Sequence, residues 1–379
     1  MMITYRFRLY PTEDQEKRLL KTLEICKETY NYFLSKIKES NKIPSRLELQ
    51  AELPKLKKEK PELKEVYSKV LQMVLYQLYS NLKSLAKLKK NGTKVGKLRY
   101  KGRGWFKTFV YNQSGFKIIE TGKRLDRLHL SKIGDIPIRI HRKIEGKIKQ
   151  VIIKRYKSGK WFALICVEKE KKKLPKTGKV IGIDVGIRLF LTDSEGRQIE
   201  NPMFYEKTLK RIKIEQRRLS RKKKGSKNWE KQRRKLAKAY EKLVNQRDDF
   251  LHKLSRFYVE NYDVICVENL NIRNMVRNHN LAQKILDASW GKFLHYLAYK
   301  AENAGKRVVK VDPRGTSKGL TYDNPLRDYI SACRILMRGW DSPDSLLERR
   351  PLPRTISYKE VVSGQVFSMN QEAPSVRAE

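Results

Sequence analysis

Residues 180–190 read VIGIDVGIRLF. Val180, Ile181 and Ile183 are β-branched, and the apolar run predicts a buried β-strand. Glycines at 182 and 186 bracket a single acid, Asp184. A lone carboxylate inside an apolar strand is costly to bury unless it is paired or holds a metal ion. Taken alone, Asp184 reads either as a turn aspartate at a strand end or as a metal ligand. The second reading requires partner acids at the ends of later elements.

Downstream, Phe190–Asp193 predicts a second strand, Ser194-Glu195-Gly196 a turn and Arg197–Glu200 a third strand. Residues 207–260 predict two long helices joined near Lys224-Gly225-Ser226. This hairpin holds 20 Lys and Arg against six acids. A charge run is commonly a solvated face, but so one-signed an excess reads as a phosphate-lined groove. Tyr262–Val267 predicts the next buried strand and delivers Glu268. Leu281–Asn303 reads as an amphipathic helix, Arg307–Val311 as a short strand ending at Asp312-Pro313, and Asp328–Met337 as a helix. Beyond Gly339 the chain is rich in Pro and Ser, so residues 340–379 are expected to form an irregular, poorly ordered tail.

Upstream, Tyr5, Phe7 and Leu9 alternate with polar residues, a strand pattern. Thr12 followed by Gln15 is a capping-box signature. Leu19, Leu23, Cys26, Tyr30, Phe33 and Leu34 then recur at helical spacing, and Val70, Leu71, Val74, Leu75, Leu78, Leu82 and Leu85 give a second amphipathic helix. A small helical unit is thus inserted after one strand. From residue 95 the chain changes character: Arg99, Lys101, Arg103 and Lys107 interleave with Tyr100, Trp105, Phe106, Phe109 and Tyr111. Leu128–Leu130, Ile136–Ile140, Ile148–Tyr156 and Trp161–Val167 predict strands, the last two joined at Ser158-Gly159. Tyr5–Leu9 is expected to add a strand to this basic, β-rich region.

The 379-residue chain carries 86 Lys and Arg against 41 acids, a formal charge of +45. Such a chain repels itself unless a polyanion binds it, which points to nucleic acid before membrane surfaces. There is no run of eighteen apolar residues to span a bilayer. The N-terminal MMITYRFRLY lacks the apolar core of a signal peptide. Cys26, Cys166, Cys266 and Cys333 are far apart, as in a reducing compartment, and no Cys-x-x-Cys pair is present to hold zinc. The five histidines are scattered and read as surface or core residues.

Three acids stand out by position: Asp184 on the first strand of its domain, Glu268 at the end of a later buried strand, and Asp328 at the start of a helix. In a β-β-β-α-β-α order the first and fourth strands lie side by side, so Asp184 and Glu268 are placed to face each other. Hard oxygen ligands suit Mg²⁺, or Mn²⁺. Two such ions about 3.5–4 Å apart activate a water and stabilise a leaving 3′ oxygen in phosphodiester hydrolysis. The alternatives are a strand-end Glu268 paired with a lysine, an Asp328 that caps its helix, and Asp312 or Asp323 in the third ligand position.

GIDVG at Asp184, the strand followed by ENL at Glu268, and the N-terminal YRFRLYPTEDQEKRL together resemble the TnpB (OrfB) family, transposon-encoded relatives of the type V CRISPR nucleases. The resemblance runs from residue 1 to 339. It implies an α/β chain with a β-barrel and helical parts. A RuvC/ribonuclease-H-like domain over 176–339 follows a wedge-type β-barrel (1–10 and 95–175) with an inserted helical recognition lobe (11–94). It implies an RNA-guided, metal-dependent DNA endonuclease with Asp184, Glu268 and Asp328 as catalytic metal ligands. Its partners would be a guide RNA and double- and single-stranded DNA, with no membrane partner, in a prokaryotic cytoplasm near the nucleoid. Phosphate contacts are expected from Arg99, Lys101, Arg103, Lys107, Arg217, Arg218, Arg221, Lys222, Lys223, Lys224, Arg233 and Arg234. The family's zinc ribbon is missing: residues 311–318 lead almost directly to Leu326-Arg327-Asp328-Tyr329, so no zinc is expected. Ile330 and Arg334 stand where the family's final helix has asparagines. A cleavage-impaired RNA-guided DNA-binding protein, or a degenerate transposase accessory protein, is the alternative reading.

Overall fold

The computed structural model describes residues 1–171, 173–321, 324–340 and 354–364. It divides into two compact units, Met1–Glu170 and Lys171–Glu379.

The first unit is a seven-stranded sheet with helices inserted after its first strand. Strand β1 (Met2–Leu9) is followed by α1 (Glu13–Glu39), α2 (Arg46–Ala51), α3 (Leu53–Glu59) and α4 (Ser68–Lys90). Strands β2 (Thr108–Asn112), β3 (Phe116–Ile119), β4 (Asp126–Leu130), β5 (Gly134–Arg139), β6 (Lys147–Arg155) and β7 (Trp161–Glu168) complete it. The strand order is β2-β6-β7-β1-β5-β4-β3. Thus β1 is central, paired antiparallel with β7 from Met2↔Glu168 to Leu9↔Trp161. The two edge strands, β2 and β3, are consecutive in the chain across residues 113–115, which draws the edges together into a nearly closed barrel. That turn needs glycine at 115: φ is +83° and a Cβ would lie 2.5 Å from the Tyr67 ring. The Thr12–Gln15 capping box forms as the sequence predicts, and α1 buries Leu19, Leu23, Cys26, Tyr30, Phe33 and Leu34.

The second unit holds β8 (Val180–Val185), β9 (Leu189–Asp193), β10 (Arg197–Glu200), α5 (Phe204–Ser220), α6 (Lys227–Asn261) and β11 (Val264–Glu268). It continues with α7 (Ile272–Met275), α8 (His279–Ala288), α9 (Trp290–Ala304), β12 (Arg307–Val311), α10 (Arg327–Gly339), β13 (Arg354–Ile356) and α11 (Tyr358–Ser363). The sheet order is β12-β11-β8-β9-β10-β13. The β8–β9–β10 meander is antiparallel, and β11 runs parallel to both β8 and β12. This is the ribonuclease-H-like arrangement that the resemblance implies. Alternation divides the central strands between two layers. Ile181, Ile183, Ile265 and Val267 pack against α6 and α9. Val264 and Cys266 pack with Val311 against Ile335 and Leu336 of α10.

Two expectations are corrected. The helix read over 281–303 is two helices, broken at Ser289, which takes a left-handed φ of +56°. The nearest glycine, Gly291, lies inside the first turn of α9. The end of α8 is anchored by Asp287, whose carboxylate accepts from the Tyr205 amide and pairs with Arg247 at about 2.5 Å. The tail over 340–379 is not irregular throughout. β13 adds to the sheet parallel to β10, Ile356 and Val361 are buried, and Ser357 forms a capping box with Glu360 on α11. Three strand residues are too few to carry a readable alternation. The rest of the tail, 341–353 and 365–379, lies outside the described residues. Among the described residues no helix is long and apolar enough to cross a membrane.

Candidate active site and basic surfaces

The strand pleat and register bring the first two acids together. Gly182 and Asp184 lie on the α10 side of β8, and Cys266 and Glu268 lie on the same side of β11. Gly182 pairs with Cys266, so the two carboxylates follow one step on, at the carboxyl ends of adjacent parallel strands. Ends of this kind are where open α/β sheets commonly bind ligands. The third acid arrives by close packing. A Cβ at position 182 would lie 2.1 Å from the Ala332 carbonyl oxygen, and one at 339 would lie 2.5 Å from Cys266 Sγ. Glycine at both points lets α10 lie directly on β8 and β11, and its first turn carries Asp328.

Asp184, Glu268 and Asp328 line one cavity of about 360 Å³, together with Arg188, Trp290 and Thr316. Burial pushes the Asp184 carboxyl well above the ordinary range, and Glu268 and Asp328 push it the same way against Arg327 and the Val185 amide. Burial also raises Glu268, opposed by Thr316 and Arg338. The Thr316 hydroxyl donates to Glu268 Oε1 at 2.6 Å, so the partner of Glu268 is this hydroxyl and not a lysine. Asp328 does not cap α10, whose N-cap is Leu326. Asp312 is turned to the Arg314 amide, 3.0 Å away, and does not line the cavity. Asp323 lies outside the described residues.

The donor set fits a hard divalent cation in its chemistry: three carboxylates facing one polar cavity, with mutual repulsion that a cation would relieve. As they lie, no three or more His, Cys, Asp or Glu side chains among the described residues close round a single ion position. Trp290, nearly buried on the cavity wall, has an indole N–H with no hydrogen-bond partner among the described residues. Thr316, Trp290, Arg188 and Arg327 escaped the sequence reading. Only Thr316 had a signal, its place in the DPRGTSK segment after β12.

The basic residues fall into two groups, one in each unit. Arg217, Arg218, Arg221, Lys222, Lys223, Lys224 and Arg234 are exposed at the tip of the α5–α6 hairpin. Arg233 is half-buried, paired with Glu230 at 2.7 Å and lying over the Trp229 ring. In the first unit, Arg99, Arg103 and Lys107 are exposed in the segment before β2, beside an exposed Trp105. Lys101 is held by Asn31, which accepts from its amide at 2.7 Å and donates to its carbonyl at 2.9 Å. All four cysteines are buried free thiols.

Comparison with known families gives three matches. A model described as "Probable transposase" (OrfB_IS605) matches residues 164–279. A "Helix-turn-helix domain" model of the same family matches 1–42, where the chain instead forms β1 and one long helix. A "Cas12f1-like, TNB domain" model matches 290–334. A protein of Streptomyces pristinaespiralis described as "Putative RNA-guided DNA endonuclease" is 32% identical over 320 residues, covering 81% of this chain and 77% of that protein. "Putative RNA-guided DNA endonuclease InsQ" of Escherichia coli (strain K12) is 28% identical over 340 residues, covering 84% and 82%. Among solved structures, a cryo-EM structure of a Cas12f1–sgRNA–target DNA complex aligns with a TM-score of 0.55 at 14% identity, covering 88% of this chain and 98% of that one. At that identity the likeness speaks for the fold alone.

Proposed function

The chain belongs to the TnpB (OrfB) family, and on that premise we propose that it is a transposon-associated RNA-guided DNA endonuclease whose active site is the Asp184–Glu268–Asp328 cleft. The observation that carries the reading is the convergence of these three acids, 144 positions apart from first to last, on one cavity at the carboxyl ends of β8 and β11. Mg²⁺ or Mn²⁺, held by the three carboxylates, would supply Lewis-acid stabilisation of the phosphoryl oxygens and of the leaving 3′ oxygen. The chain's own residues do the rest. Thr316 orients Glu268. Arg188 and Arg327 line the same cavity and are positioned to draw in a backbone phosphate. The α5–α6 hairpin tip and the Arg99–Lys107 segment supply sequence-independent phosphate contacts, with Tyr100 and Trp105 as stacking surfaces. Target choice then falls to base pairing with a guide RNA, and the protein reads duplex shape and backbone. A cytoplasmic, nucleoid-associated location follows from those partners.

The test is to purify the full chain with its co-expressed RNA, sequence that RNA, and assay cleavage of a matched DNA duplex with Mg²⁺. The expected result is guide-dependent cutting that Asp184→Asn abolishes while guide-dependent binding persists. Tight guide-dependent binding with no cutting at any Mg²⁺ or Mn²⁺ concentration favours the cleavage-impaired binding protein instead. That second reading draws on the missing zinc ribbon and on Arg334 in an asparagine position.

A further inference from the structure

Pro313, Thr316 and Ser317, which follow β12, line the cavity, and two arginines of α10 hold the 312–318 segment down. Arg338 donates to the carbonyls of Asp312 (3.0 Å) and Arg314 (2.7 Å). Arg334 donates to the carbonyls of Thr316 (3.1 Å) and Lys318 (2.8 Å). Four carbonyls in seven residues are thus spoken for by one helix. Gly315 turns the loop at a φ of +76°, with the position of its absent Cβ 3.5 Å from the Arg338 guanidinium. The loop's one nearly buried side chain between these anchors is Thr316, 4% exposed. Its hydroxyl donates to Glu268.

We propose that Arg334 and Arg338 are positioning residues: by stapling the 312–318 loop to α10 they fix Thr316, and through it Glu268, relative to Asp328 on the same helix. The proposal rests on the nuclease reading of this cleft. The physical reason for two arginines is geometric. Each guanidinium makes both bonds from one nitrogen, Nη1, whose two N–H directions are fixed by the plane of the group, whereas an ammonium is a point charge on a flexible stem. Without the staple the 312–318 loop is left to short-range contacts such as those of Asp312 with the Arg314 amide and of the Thr316 hydroxyl with the Pro313 carbonyl, and the hydroxyl is no longer held against the Glu268 carboxylate. The loop and Asp328 would then move independently, and the carboxylates would meet an incoming cation in the wrong relation.

The test uses the full chain with its co-purified RNA and has two readouts. One is the Mn²⁺ concentration that gives half-maximal thermal stabilisation. The other is the kcat and KM of matched-DNA cleavage. The variants are Arg334→Ala/Arg338→Ala, Arg334→Lys/Arg338→Lys, Thr316→Val and Thr316→Ser. The Ala pair, the Lys pair and Thr316→Val are expected to raise the Mn²⁺ midpoint about tenfold, in the range seen when groups behind metal ligands are lost. They should lower kcat with little change in KM. Thr316→Ser, which keeps the hydroxyl, should recover most of both. Combining Thr316→Val with the Ala pair should add little, because both break one chain of contacts. If the Lys pair matches the parent, charge and not the fork is responsible and the staple is wrong. Unchanged Mn²⁺ midpoints in all variants, or full additivity, overturn it while the nuclease reading stands if the parent cuts. A parent that neither cuts nor responds to Mn²⁺ overturns the nuclease reading and the staple with it.

Discussion

Two aspartates, Asp193 fully buried and Asp184 half-buried, sit on neighbouring strands of the second unit, and their surroundings are opposite. Asp193, at the end of β9, accepts from Arg197 Nε (2.7 Å), the Tyr258 hydroxyl (2.9 Å) and the amides of Glu195 and Arg197 (3.0 Å each). Burial raises its pKa on balance, opposed by Arg197 and the Tyr258 hydroxyl. Asp184, on β8 and paired with Thr192 beside Asp193, has burial and two further acids acting in the same direction, opposed by Arg327 and the Val185 amide. One carboxylate is completed by its own chain. The other is left with a deficit of positive charge. Perturbed acids that the fold does not satisfy are candidates for chemistry, and satisfied ones are candidates for stability.

The largest effect that follows is on cleavage. Asp184→Asn should lower the rate of guide-directed cutting on the order of 10⁴-fold, about 5.5 kcal/mol of barrier, measured at saturating Mg²⁺. Its urea midpoint should not fall. Asp193→Ala should do the converse. It leaves the fully buried Tyr258 hydroxyl without its acceptor and Arg197 with only its Glu195 and Tyr262 partners, and breaking a buried pair from one side costs about 3–5 kcal/mol of stability, read by urea unfolding. If instead Asp193→Ala leaves stability intact and Asp184→Asn unfolds the protein, the contrast between the two acids is broken.

A pH titration sharpens the same contrast. The Asp184 carboxyl has a folded pKa above its unfolded value of about 3.9, so the folded state binds more protons over that window. Its contribution to stability is therefore present at low pH and is lost as pH rises from the unfolded value through the raised folded one. In metal-free protein, Asp184→Asn should remove this downward slope, and the gain over the parent should be largest near pH 7. A parent and variant with parallel pH profiles would contradict the unsatisfied-acid reading. Smaller still is the effect of a cation on the parent. Mn²⁺ at ten times its dissociation constant should add about 1.4 kcal/mol, a rise of roughly 2–4 °C in melting temperature. Asp184→Asn should lose that rise.

Much of this was legible in sequence because the second unit obeys simple patterns. Val180–Val185 and Val264–Glu268 are apolar runs of strand length, and their acids could be paired once the strand order was inferred. The glycines of GIDVG had a physical purpose that sequence alone did not expose. Gly182 is where α10 touches the sheet, a fact about a contact 150 residues away. The break at Ser289 was hard to read because the contacts at the end of α8, from Asp287 to the Tyr205 amide and Arg247, are tertiary. Thr316 and the arginines behind it were invisible as a set, because their common target is a run of backbone carbonyls. Asp193 read only as the last residue of its strand, since its arginine and tyrosine partners came from elements whose packing had not been inferred.

The most direct measurement is anomalous scattering from crystals of the full chain grown or soaked with Mn²⁺. The account predicts a peak within coordination distance, about 2.0–2.3 Å, of carboxylate oxygens of Asp184, Glu268 and Asp328, and no peak at Asp193. Mn²⁺ bound only elsewhere, or an Asp184 carboxylate that turns away to pair with a protein cation, would contradict it.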